Sequence, residues 1–159
     1  MATVYFHEEQ RFSPVIIIAA AIMLVVGIAL LLVPWAGVAG ISVVSIATAL
    51  VLTFAVLKLV TEVRDDGLYV RLFPLPFRHF ALETIASYQV RTYRPIREYG
   101  GWGLRSGFSG AAYNARGNRG VQLVLVSGRR VLIGSQQPEA LEAAIAKAAA
   151  AAGRPAAQE

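Results

Sequence analysis

The sequence predicts a two-helix membrane hairpin followed by a small antiparallel β domain that a C-terminal helix closes. Three observations predict it. No Asp, Glu, Lys, Arg or His occurs from Phe12 to Leu57. After Val60 the pattern shifts to the two-residue alternation of strands. The chain then ends in an alanine-rich stretch with helix start and stop signals. At 159 residues there is room for one ordinary domain, or for a smaller one beside a segment outside any soluble core.

The uncharged run is long enough for two membrane spans of about 20 residues each and a tight turn. "SPVIIIAAAIMLVVGIALLLV" opens with Ser13 as a candidate N-cap and Pro14 at the first helical position, where a missing N–H costs nothing. "PWAG" at 34–37 supplies the turn with an interfacial Trp, and "VAGISVVSIATALVLTFAVLKLV" follows from Val38, meeting its first charge at Lys58. A cleaved signal peptide is the competing reading of the first run. It fits poorly, because Glu8 and Glu9 precede the run where a basic stretch belongs and a second span follows at once.

The turn has no Lys or Arg, whereas Arg11 flanks the first span and Lys58, Arg64, Arg71 and Arg78 follow the second. Basic residues stay on the cytoplasmic side, which predicts cytoplasmic termini and an outward-facing turn. Ala20 and Gly27 on the first helix, and Gly40, Ser45, Ala47 and Ala49 on the second, are the candidate close-packing positions. Neither span carries an ionisable group, which argues against an ion or proton pathway through this chain alone.

In the soluble part, "TEVRDDGLYVRLF" places Asp65-Asp66-Gly67 between two β-forming runs, a strong hairpin signal. "ASYQVRTY" alternates, with Ala86, Tyr88, Val90 and Thr92 opposed to Ser87, Gln89, Arg91 and Tyr93. "VQLVLVSGRRVLIGS" reads as a further hairpin turning at Ser127-Gly128, and "ATVYF" near the N-terminus is a candidate edge strand. "SQQPEALEAAIAKAAAAAG" has Pro138 in its first turn, Glu139 and Glu142 near the positive end of the helix dipole, and Gly153 as a stop. The predicted organisation is an N-terminal segment 1–13, a hairpin over 14–58, a β domain over 59–153 with its helix at about 138–152, and a disordered tail 154–159. Six to eight antiparallel strands would make a small barrel whose open end the helix plugs.

The chain at this point resembles the bacterial pleckstrin-homology (PH)-like membrane proteins, in which two transmembrane helices precede a PH-like barrel. The residues that carry the likeness are "VRDDGLYVRLFPLPFRHFALETIASYQVR", "YGGWGLR" and "GVQLVLVSGRRVLIGSQQPEALEAAI", together spanning about Lys58 to Ala150. The resemblance implies a bacterial cytoplasmic-membrane protein and a fold. It implies no lipid site that transfers residue by residue.

No motif of catalysis stands out. Gly101, Gly103 and Gly107 give G-x-G-x-x-x-G with no helix opening behind them, so neither a dinucleotide fingerprint nor a P-loop is present. A nucleotide-binding or enzymatic use of the 100–120 stretch is thus the minor reading, and barrel connections the major one. His7 and His79 lack metal-ligand spacing, and the chain has no cysteine. Asp65 and Asp66 are explained by turn chemistry. Ser106, Ser109, Ser127 and Ser135 have no nearby base or nucleophile elbow. No catalytic, cofactor-binding or metal-binding residue is assigned.

Charge is the remaining signal. From Arg91 to Arg130 there are eight arginines against Glu98 alone, a local balance of +7 within a chain of net charge +5. Arg91, Arg94, Arg97, Arg105, Arg116 and Arg119 with Trp102 are the candidate surface for anionic lipid head groups or a protein partner. A nucleic-acid partner is not expected, since no recognition motif accompanies the charge. The expected function is that of a non-enzymatic module that binds protein or anionic lipid and acts as a scaffold. The alternative is an accessory or assembly subunit of a larger membrane complex, energy-transducing ones included.

Overall fold

A computed structural model describes residues 3–12, 14–107 and 110–153. The proposed N-cap Ser13, the residue Ser109 and the tail 154–159 lie outside the described residues. The chain is mixed α/β with antiparallel sheets, and it divides into two units. One runs from Phe12 to Leu57; the other joins the residues up to Arg11 with those from Lys58 onward.

The first unit holds α1 (Pro14–Leu31) and α2 (Gly37–Val56). Among the described residues, α2 is long and apolar enough by length and composition to cross a membrane, and Ile17–Leu31 of α1 is a shorter apolar helix. The connection starts earlier than the sequence suggests, since α1 ends at Leu31 and Gly37 already belongs to α2. The second helix stops at Val56, short of Lys58, because Leu57 is extended and caps Thr53 through its N–H.

The two helices approach through small residues. Ala20, Gly27, Gly40 and Ala47 are buried. A Cβ on Gly27 would sit 2.9 Å from the Val44 nitrogen, and one on Gly40 would sit 2.9 Å from the Leu31 nitrogen. Ser45 and Ala49 do not share that seam. Both are exposed, and the Ser45 hydroxyl donates to the Ile41 carbonyl one turn back. The faces turned away from the seam carry Ile18, Ile22, Val25, Ile41, Ile46 and Leu52, all exposed.

The second unit begins with β1 (Val4–Arg11), an edge strand. It pairs antiparallel with β2 (Lys58–Arg64), which turns through Asp65-Asp66 into β3 (Gly67–Phe73), and β4 (Arg78–Ala81) completes a four-stranded sheet in the order β1-β2-β3-β4. A 3-10 turn at Leu82–Thr84 leads to the second sheet. Its strands are β5 (Ile85–Thr92), β6 (Gly103–Gly107), β7 (Gly110–Asn114), β8 (Arg119–Leu125) and β9 (Arg130–Gly134), in the order β5-β8-β9-β7-β6.

Several sequence expectations are corrected here. Nine strands occur among the described residues, and β7 pairs with β9 in parallel, so the sheets are not wholly antiparallel. The stretch 100–120 is not merely a set of connections: it forms β6 and β7, paired from Gly103↔Asn114 to Gly107↔Gly110. Glycine concealed those strands, because β propensity is low there. Gly110 shows why it is needed, with φ +104 and a Cβ position 2.2 Å from the Arg130 carbonyl oxygen. A short helix, α3 (Pro95–Tyr99), precedes β6 and ends on the left-handed Gly100. In β5 a bulge between Ile85 and Ser87 shifts the register, and the strand ends at Thr92. Tyr93, the first residue past the end of the strand, leaves its alternation and is fully buried, where strict alternation placed it opposite Tyr88.

The closing helix α4 (Pro138–Ala151) buries Leu141, Ala144, Ile145, Ala148 and Ala149, a stripe at spacings of three and four, against β1, β2, β5 and β8. Leu59, Val63, Leu68, Val121, Leu123 and Ile133 supply other parts of the core. Two polar contacts from β1 fix the start of α4. The buried Glu8 carboxylate accepts from the Ser135 hydroxyl at 2.6 Å and from the Gln136 N–H at 2.8 Å, while Ser135 Oγ accepts from the Gln137 N–H. Gln10 donates to the Gly134 carbonyl at 2.8 Å.

Candidate functional site

Each sheet ends in a strand with one partner: β4 pairs only with β3, and β6 only with β7. Between these two edges lies a cleft of about 620 Å³. Pairing with β3 and aromatic contacts position β4. The Arg71 guanidinium lies over Phe77 at 4.3 Å and Phe73 at 5.3 Å, which holds the loop entering β4. Opposite, Phe80 of β4 meets Tyr113 of β7 edge to face, with ring centres 6.2 Å apart.

Three arginines border the cleft: Arg78 on β4, Arg105 on β6, and Arg129 in the turn between β8 and β9. None of them makes an ion pair with a carboxylate among the described residues. Arg105 spends one N–H on the Trp102 carbonyl at 3.1 Å. The same cleft is lined by the apolar groups Leu104, Tyr113, Leu125 and Val131 and by Thr84, Ser106 and Ser127. Cations and apolar groups lining one cleft suit an anion joined to an apolar body.

His79 also borders the cleft but is engaged elsewhere. Its ring stacks on Tyr69 with centres 4.4 Å apart, and its Nε2 lies 3.9 Å from the Asp66 carboxylate. Tyr69 donates to Asp66 at 2.5 Å, and that hydrogen bond holds the Asp66 carboxyl below the usual carboxylate range. The Arg64 guanidinium covers the other face of this stack, 4.6 Å from the Tyr69 ring centre.

The surface candidates read from sequence divide into four groups. Arg91 pairs with Glu98 and donates to Gln122, and Arg119 pairs with Glu139, so both cations are already compensated. Arg94 and Arg97 flank a shallow hollow with Trp102, whose indole N–H donates to the Gly117 carbonyl at 3.0 Å. Ile96 stands 71% exposed beside them. Arg116 is exposed on the turn between β7 and β8, and its carbonyl accepts from Gln136. Arg105 alone reaches the cleft. Arg78 and Arg129 were not among the candidates, and no local signal marks them, because only the meeting of two sheet edges brings them to Arg105.

A second polar cluster is buried in the same unit. Tyr93, Tyr99, Ala112 and Leu132 pack together, and the hydroxyls of Tyr93 and Tyr99 and the amide nitrogen of Asn114 have no hydrogen-bond partner among the described residues. Burial pushes both phenols above their ordinary range; nearby Asn114 opposes this at Tyr93, and Arg91 opposes it at Tyr99. Among the described residues no group of His, Asp and Glu is arranged to hold a metal ion.

Fold and cleft together define a mixed α/β protein in which an apolar helical pair is inserted between the first two strands of a two-sheet unit with a basic inter-edge cleft. The chain belongs to a family of unknown function (DUF6141), matching it over residues 9–152. Comparison with curated proteins and with solved structures finds no match in either.

Proposed function

We propose that the protein is a non-enzymatic, membrane-anchored binding module of the bacterial cytoplasmic membrane. In this reading α1 and α2 form an N-in, C-in transmembrane hairpin, and the two-sheet unit is a cytoplasmic PH-like barrel capped by α4. The module serves as a scaffold for anionic lipid head groups or an acidic protein surface. The observation that carries it is the set of uncompensated arginines, Arg78, Arg105 and Arg129, in a cleft also lined by apolar groups. The exposed apolar flanks of both helices support the membrane anchor, since water would not tolerate so continuous an apolar surface.

The test uses the full chain in phosphatidylcholine nanodiscs and measures capture of fluorescent vesicles at low salt. Capture of anionic vesicles, together with failure to capture phosphatidylcholine ones, is expected. Equal capture of both sinks the lipid half of the reading.

The alternative, an accessory or assembly subunit of a larger membrane complex, draws on Ser45 and Ala49. They leave a small-residue face of α2 turned away from α1. Gentle solubilisation of native membranes should then recover the tagged chain with other membrane subunits at fixed stoichiometry. Recovery as a lone monomer counts against it.

A further inference from the structure

We infer that the cleft between β4 and β6 is a specific site for a phosphate monoester attached to a short apolar group, bound by Arg78, Arg105 and Arg129. The inference rests on the binding-module reading and adds the ligand's chemistry and its place.

The charge count selects the anion. Three guanidinium groups border one cleft, and no described carboxylate pairs with any of them. A carboxylate would offset one positive charge, whereas a phosphate monoester carries about −1.5 to −2 at neutral pH and three acceptor oxygens. Guanidinium forks match those oxygens two at a time, which a lysine would not do. Asp66, the carboxylate next to the cleft residue His79, is held by Tyr69 and His79 and pairs with none of the three arginines.

The apolar lining selects the attached group. Leu104, Tyr113, Leu125 and Val131 line the same cleft as the arginines. A volume of about 620 Å³ falls within the range of small-molecule sites, about 300–1,000 Å³, and exceeds what one phosphate fills. An alkyl or aryl body of several carbons accounts for the remainder. The arginines reach the cleft from an edge strand of each sheet and from a tight turn, elements held in register by pairing with their neighbours. This is a preformed arrangement, unlike the open hollow at Arg94 and Arg97.

A lipid head group and a soluble phosphate ester share this chemistry. The experiment titrates the full chain in phosphatidylcholine nanodiscs with octyl phosphate, inorganic phosphate and octanol by calorimetry. A parallel arm uses nanodiscs containing phosphatidic acid. Octyl phosphate should bind at one site, at least tenfold tighter than inorganic phosphate, and octanol should not saturate. Arg105→Gln and Arg129→Gln should each weaken octyl phosphate about tenfold, the loss of one charge-assisted contact. Arg94→Gln should leave it unchanged.

If phosphatidic acid in the disc competes with octyl phosphate, the natural ligand is a lipid; if it does not, the ligand is soluble, and either result supports the site. Equal affinity for inorganic and octyl phosphate, or unchanged binding in both cleft variants, overturns it. Vesicle capture that survives Arg105→Gln with Arg129→Gln but is lost in Arg94→Gln with Arg97→Gln would reject the cleft and leave the module standing. Circular dichroism of each variant should match the parent, since all these arginines are surface groups.

Discussion

Arg11 and Lys58 face one another in the ladder of β1 and β2, although the whole of Phe12–Leu57 lies between them in sequence. Adjacent strands of one sheet stay on one side of any membrane, because backbone hydrogen bonds between them cannot be made across a bilayer. A helical unit inserted between these residues therefore crosses an even number of times. The proposed hairpin meets that condition: were α2 one span, α1 would be the other, and at 18 residues it is about 27 Å long, close to the hydrocarbon thickness.

This predicts a labelling pattern. The chain has no cysteine, so single substitutions report cleanly. Trp35→Cys, at a position 88% exposed in the connection, should react with a membrane-impermeant maleimide on intact cells. Thr3→Cys and Ser127→Cys should react only after permeabilisation. Labelling of all three from one side would show that the helices do not cross.

Glu8 is predicted to be a structural keystone although it lies before the helices. Glu8→Ala leaves the Ser135 hydroxyl and the Gln136 N–H without their acceptor, which costs about 2 kcal/mol by the usual penalty for buried unpaired groups. Denaturant melts of the detergent-solubilised chain should show that loss. Its neighbour Glu9, exposed and in contact with Lys58 at 2.9 Å and with His7 at 4.0 Å, should be replaceable by Ala with little change. A fragment lacking β1 should fail to show the parent's cooperative unfolding.

Between the helices, Gly27→Leu and Gly40→Leu should each destabilise by roughly 1–3 kcal/mol, since the added side chain meets backbone atoms that cannot retreat. Ser45→Leu and Ala49→Leu should not, because both positions are exposed on the far face. Thermal stability in detergent separates the two pairs. Equal effects at all four sites would contradict the packing seam.

The buried phenols set an alkaline limit. Folding raises the pKa of Tyr93 and Tyr99, so the protonated forms contribute fully below the ordinary tyrosine value of about 10. That contribution is lost as pH rises from there through the folded-state values. Tyr93→Phe removes a hydroxyl with no hydrogen bond among the described residues, so stability at neutral pH should hold or rise by about 1 kcal/mol. Melts between about pH 9 and pH 11 should fall less steeply in the variant than in the parent. A loss of stability at neutral pH would instead show that the hydroxyl is bonded to the neighbouring Asn114 side chain.

Local chemistry made some elements legible. Asp65-Asp66-Gly67 does turn between β2 and β3, and Pro138 does open α4, because turn residues and N1 proline act over a few bonds. The seam residues Ala20, Gly27 and Gly40 were legible for the same reason, small size at helical spacing. Ser45 and Ala49 satisfied that pattern equally well and still lie elsewhere, since spacing alone does not say which face of a helix meets its partner. The strands β6 and β7 were hidden because Gly103 and Gly110 take positive φ values of +114 and +104, and Gly110 also lies against the Arg130 carbonyl of β9, a need that its own sequence neighbours do not reveal.

The sequence by itself determined the uncharged helical run, the strand alternation, the closing helix and the local excess of arginine, all properties of nearby residues. Only the tertiary structure decided which arginines are free. Arg91 and Arg119 found Glu98 and Glu139, whereas Arg78, Arg105 and Arg129, from an edge strand of each sheet and a distant turn, came to one cleft without an acid. Ion pairing falls off within a few ångströms, so the availability of a charge depends on spatial neighbours that only folding supplies.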